Sequence, residues 1–161
     1  MKFEIDQWVM HSSHGLGQVQ GMEERTMNGG IAMYYVVKVA DLTIWVPEDE
    51  NIQDRLRLPK KPAEFKEIIA VLSQPAEALP EDFRLRNSQL HARLKGGDAE
   101  AQCKVIRDLT AHRQGRTWSN HDRALLTSVR KLLIGEWSHS LSVSREEAEL
   151  QLQHSMTHLS N

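Results

Sequence analysis

Apolar and polar residues alternate along the first ~55 positions and then recur at spacings of three and four, which marks a change from strands to helices. Phe3, Ile5, Trp8, Val9 and Met10 predict a first strand, and Gln18-Val19-Gln20-Gly21-Met22 predicts a second after the Gly-rich turn His14-Gly15-Leu16-Gly17. Asn28-Gly29-Gly30 reads as a hairpin turn, because Asn and Gly accept the positive φ that tight hairpins demand. Met33-Tyr34-Tyr35-Val36-Val37-Lys38-Val39 is the strongest strand pattern, rich in aromatic and β-branched residues. Leu42-Thr43-Ile44-Trp45-Val46-Pro47 follows and ends at proline.

From Leu58-Pro59-Lys60-Lys61-Pro62 the helical period takes over. Pro62 suits the first turn of a helix through Phe65, Ile68, Ile69 and Leu72. A second break, Gln74 to Pro80, leads to a helix carrying Phe83, Asn87, Leu90 and Leu94 and stopping at Gly96-Gly97. Asp98 caps the next, with Ala101, Val105, Ile106 and Leu109 as its apolar stripe. Ser119 with Asp122 and Ser144 with Glu147 resemble capping boxes and start two more helices. The expected fold is α+β in two domains. Residues 1–57 form a small SH3-like or Tudor-like β-barrel, and residues 58–161 form a compact five-helix bundle.

Charge divides along the same line. The net −2 conceals −4 over residues 1–58 and +2 over residues 59–161, and residues 79–131 hold eleven Lys/Arg against six Asp/Glu. Different partners for the two parts follow, with an anionic one for the basic stretch. At its head stands Leu79-Pro80-Glu81-Asp82-Phe83-Arg84-Leu85-Arg86-Asn87, an aromatic among basic residues near a helix N-terminus, where backbone N–H groups and the dipole favour anions. Read alone, these nine residues favour the start of an amphipathic helix with Phe83, like Leu90 beyond them, in the core and the arginines solvated.

Catalytic signals are weak. The chain has no GxxxxGK[ST] and no GxGxxG after a strand, no carboxylate pair stands out, and the lone Cys103 in an apolar helical pattern reads as a small buried hydrophobe. His11-Ser12-Ser13-His14 could converge on a metal but lacks supporting ligands. We therefore expect no enzyme and no cofactor. The N-terminus shows no hydrophobic signal segment and no run of 18 apolar residues occurs, so a cytoplasmic monomer with no membrane contact is the expectation.

The order of Phe3-Glu4-Ile5-Asp6-Gln7-Trp8-Val9, His14-Gly15-Leu16-Gly17-Gln18-Val19, Tyr35-Val36-Val37-Lys38-Val39 and Leu42-Thr43-Ile44-Trp45-Val46-Pro47 resembles the CarD/CdnL family of bacterial RNA polymerase-binding transcription regulators. Gly97-Asp98, Val105-Ile106-Arg107-Asp108-Leu109 and Leu132-Leu133-Ile134-Gly135-Glu136 continue the likeness. The resemblance implies that the first module binds the RNA polymerase β subunit. It also implies that the helical domain contacts promoter DNA at the upstream edge of the melted bubble, without sequence preference, through the minor groove and phosphates.

Phe83 matches that family's wedge residue, usually Trp, and Arg84 and Arg86 fall in the accompanying basic stretch. For polymerase binding the hairpin residues Arg25, Thr26 and Met27 are candidates, together with Trp45, where relatives often carry a basic residue. Strand alternation leaves Trp45 facing either the core or solvent. The rival reading is a protein-interaction adaptor that never touches DNA, and it predicts a buried Phe83 and a basic region scattered around the bundle rather than gathered on one face.

Overall fold

The computed structural model describes residues 2–159, and for Met27 the backbone alone. The predicted switch of period is a switch of architecture. Among the described residues five antiparallel strands precede five α-helices, an α+β chain in two units, Met1–Pro59 and Lys60–Asn161.

In the first unit the strands are β1 (Trp8–His11), β2 (Gly15–Met27), β3 (Gly30–Val39), β4 (Leu42–Pro47) and β5 (Leu56–Arg57), hydrogen-bonded in the order β4-β3-β2-β1-β5. One face buries Val9, Val19, Tyr35, Val37, Val39 and Val46 with Ile52 and Leu56, as period-2 alternation demands. Gly17 fits because a Cβ there would stand 2.6 Å from Val39 Cγ2 and 2.9 Å from the Lys38 carbonyl. Asn28 and Gly29 take positive φ at the expected hairpin.

The first strand is shorter than its pattern. Asp6, at φ 70°, turns the chain and its N–H donates to the Val19 carbonyl, so Phe3 enters the core from outside the ladder, edge-on to Tyr35 at 5.5 Å. A bulge interrupts β2, where Val19 faces Val37 but Gly21 faces Val36. The extra residue reverses which side chains point inward, so Glu23 and Arg25 join the face opposite the core.

In the second unit the helices are α1 (Pro62–Ile69), α2 (Phe83–Leu94), α3 (Ala99–His112), α4 (Asn120–Leu141) and α5 (Arg145–Ser155), with a 3-10 turn over Ala70–Ser73. Their starts are written locally: Pro62 in the first turn, then Asp82, Asp98, Ser119 and Ser144 accepting from the N–H groups of Leu85, Ala101, Asp122 and Glu147. Phe65, Leu72, Leu90, Val105, Ile106, Leu109, Leu133, Trp137 and Leu152 fill one core. Cys103 lies within it, and burial pushes its thiol up to about 12, which leaves it an inert small hydrophobe.

Three carboxylates are buried with these side chains. Asp108 accepts from Arg93, Arg107 and the Glu77 N–H, and Glu136 accepts from the Lys60 N–H. Asp122 does not reach back to close a capping box; it binds Arg86 through Nη2 at 2.9 Å and Nε at 3.4 Å. Arg86 also donates to the Pro80 and Glu81 carbonyls at 3.0 and 3.1 Å. Its expected place in an exposed phosphate-binding stretch is thus corrected: Arg86 is 6% exposed, because it lies four residues before the buried Leu90 on the inward face of α2.

Two outcomes test these interiors. Removing one partner of a buried ion pair leaves the other charge unpaired, so Arg86→Ala should destabilise the helical unit by about 3–5 kcal/mol in urea titrations. In the β unit, His11 Nδ1 accepts from the N–H groups of Ser13 and His14, which requires a neutral ring. Burial, with the neighbouring His14, holds its pKa down to about 4 from 6.5. The unfolded chain then takes up the proton first, so stability present above pH 6.5 is lost as pH falls toward 4. His11→Asn keeps an acceptor without titrating, and the pH slope of β-unit amide exchange over that window should flatten relative to wild type.

Candidate nucleic-acid interface

Phe83 opens α2 directly after its cap, Asp82, whose Oδ1 accepts from the Leu85 N–H at 2.9 Å. A residue in the first helical turn has little helix behind it to pack against, and the Phe83 ring is 44% exposed while Leu90, two turns on, is fully buried. The ring meets His121 of α4 edge-on, with centroids 5.7 Å apart and planes at 88°. The Arg86 guanidinium carbon lies 5.8 Å from its centre. Phe83 is therefore fixed at its base and open on its outer side. Such edge-to-face contacts add about 0.5–1.5 kcal/mol beyond area burial.

The electrostatics differ from a simple basic helix start. Asp82 already occupies the helix N-terminus, and Glu81 is tied to Arg116, whose hydrogen bonds hold the Glu81 carboxyl below the usual carboxylate range. Attraction for an anion falls instead to side chains. Arg84 is exposed, and no acid pairs with it among the described residues. Of the eleven bases in residues 79–131, Arg86, Arg93 and Arg107 are committed to Asp108 and Asp122, so part of the apparent surplus is spent inside.

A recess of about 200 Å³ lies beside this helix start, lined by Glu81, Arg86, His112, Arg113, Arg116 and Trp118 among others. Arg113 sits 4.9 Å over the Trp118 ring, a second arginine–aromatic pair in this unit. Neither Arg113 nor Trp118 belonged to a sequence motif. The pairing across a turn of irregular backbone leaves no periodic trace.

In the β unit, Trp45 pairs with Val36, on the face opposite Tyr35 and Val37, and is 38% exposed. Alternation thus turns it outward. Its Nε1 donates to Glu23 Oε2 at 2.7 Å, and Arg25 lies 4.2 Å over its ring and 3.7 Å from Glu23 Oε1. Arg25 and Trp45, separated in sequence, form one patch, and Glu23 is the member that strand reading missed. Thr26 is exposed and pairs with Ile31, which puts it on the other side of the ribbon. Met27 closes the ladder with Gly30; its side chain lies outside the described residues.

His11 and His14 do not assemble a metal site of three or more ligands. Their rings are 4.9 Å apart and His11 Nδ1 is used by the loop backbone, and no group of three His, Cys, Asp or Glu able to hold an ion occurs among the described residues. No helix among them is long and apolar enough to cross a membrane.

Comparison with known proteins follows the same division. Residues 3–57 match the model of the CarD-like/TRCF RID domain, and residues 67–153 match that of the CarD C-terminal domain. A Bacillus subtilis (strain 168) protein described as "Putative transcription factor YdeB" is 19% identical over 136 residues, covering 83% of this chain and 89% of its own. With both domain models matched in order and the second spanning more than half of its length, the chain belongs to the CarD family of transcription regulators.

Proposed function

We propose that this regulator binds the RNA polymerase β subunit through Arg25, Thr26, Met27 and Trp45, and contacts promoter DNA at the upstream bubble edge through Phe83 and Arg84, stabilising the open complex. The observation that carries the DNA half is the half-exposed Phe83 ring at the start of α2, held from beneath by His121. An apolar ring inserted beside a base step offsets part of the unstacking cost of a few kcal/mol, and the bend it creates admits further contacts. Arg84 adds phosphate affinity that salt weakens and that reads no sequence. Arg86 acts one step back, fixing the carbonyls of Pro80 and Glu81 so that the helix begins where it does. An adaptor that never touches DNA would bury Phe83.

Phenylalanine makes this a modest wedge. It lacks the indole N–H that could bind a base edge, and its ring offers less stacking area than tryptophan. On the polymerase side, Arg25 and Trp45 stack on each other, an arrangement in which an aromatic and an arginine anchor are held ready for a partner. Glu23 orients both members of that pair.

One stacked ring contributes about 1–3 kcal/mol, so Phe83→Ala should shorten the open-complex lifetime on the cognate polymerase about fivefold or more, and Phe83→Trp should lengthen it. An unchanged lifetime in Phe83→Ala removes the wedge. Arg25→Glu sets a like charge beside Glu23 and abolishes the stack on Trp45; pulldown of the β subunit should be lost while the circular dichroism spectrum stays that of wild type. A pulldown that survives places the polymerase contact elsewhere.

A further inference from the structure

Beneath Phe83, the histidine that packs against the ring meets a second one. His91 of α2 and His121 of α4 meet Nε2 to Nε2 at 3.3 Å, with ring centroids 5.4 Å apart and planes tilted by 49°. Two imidazole nitrogens at that distance cannot both present lone pairs; an electrophile must lie between them, either a proton on one nitrogen or a metal ion. Two nitrogen ligands of a tetrahedral ion, with bonds of about 2.0–2.1 Å, stand about 3.3–3.4 Å apart. The observed separation matches that edge, so the two nitrogens already stand at the spacing that one shared ion requires.

We propose that His91 and His121 form a binding site for a borderline divalent transition ion, Zn²⁺, Ni²⁺ or Cu²⁺, that links α2 to α4 at the foot of the Phe83 ring. Imidazole suits these ions, whereas Mg²⁺ and Ca²⁺ take oxygen ligands. His91 is exposed and His121 partly so, which gives an ion an open path. The edge-on contact with Phe83 fixes the direction of the His121 ring, and the neighbouring Asp122 is committed to Arg86, which it neutralises. Among the described residues no third His, Cys, Asp or Glu completes the site. The ion therefore keeps open positions for water or an oxyanion, and it binds more weakly than a four-ligand structural zinc. Its physical effect is to tie two helices that otherwise meet here through side-chain contacts alone, and so to stiffen the support of the ring. The site stands or falls without reference to DNA contact.

The test uses the full chain stripped with EDTA and titrated with ZnCl₂ or NiCl₂ by calorimetry, with thermal unfolding in parallel. One ion per chain should bind in the micromolar range and raise the unfolding midpoint by a few degrees, since ligand that binds only the folded state stabilises it. His91→Gln and His121→Gln should each weaken binding about tenfold or more and cancel the rise. Substoichiometric Cu²⁺ should broaden the proton resonances of His91, His121 and the Phe83 ring before those of the other histidines. That map is read on the wild-type protein, so it decides the matter even if a Gln variant fails to fold. No uptake, uptake unchanged in both variants, or broadening centred on other histidines overturns the site and leaves the pair sharing a proton.

Discussion

The helical unit depends on the pairing of three buried carboxylates. Asp108, Asp122 and Glu136 lie within 5% exposure on α3 and α4, and an ion taken out of water at that depth is tolerated only when its oxygens are satisfied. Their partners include the N–H groups of Lys60, before α1, and Glu77, before α2, and the guanidiniums of Arg86, Arg93 and Arg107. Residues 74–82 carry no helix or strand of their own, so the bond from the Glu77 N–H to Asp108 and those from Arg86 to the Pro80 and Glu81 carbonyls, with the burial of Leu79, set the path of that stretch. The path in turn places the start of α2, which Asp82 caps locally. The exposure of the Phe83 ring is thereby tied to charge pairing in the interior.

The β unit reaches its surface patch by a different constraint. One extra residue in β2 swaps inward and outward positions along the rest of the strand, so Glu23 and Arg25 come to share a face with Trp45 two strands away. Both units then present the same device, an exposed aromatic braced by a polar neighbour: Trp45 by Glu23 and Arg25, Phe83 by His121 and Arg86. A braced ring has less conformational freedom left to lose when a partner arrives, which favours affinity without added area.

Much of the fold could be read along the chain because its determinants are local. Helix starts followed their capping residues at Asp82, Asp98, Ser119 and Ser144, and the main hairpin followed Asn28-Gly29. The reading failed where a local pattern competed with a longer-range one. Phe3 and Ile5 alternate like a strand, yet the turn at Asp6 bonds to Val19 and removes them from the ladder. Arg84 and Arg86 look alike in a basic run, yet one faces solvent and the other the core.

What the sequence by itself determined is the order and type of the main elements, the short strand β5 excepted, the division into two units, the family to which the chain belongs, and the identity of the aromatic at the start of α2. Each rests on local periodicity and caps or, for the family, on the order of short motifs along the chain. Only the tertiary structure decided which arginine is free, which way Trp45 points, and that His91 and His121 meet. Those outcomes turn on contacts between residues 20 to 36 positions apart, such as Arg86 with Asp122 and Trp45 with Glu23. The free energy of burying or exposing a charge or ring depends on the partner it finds there, and no local pattern encodes that partner.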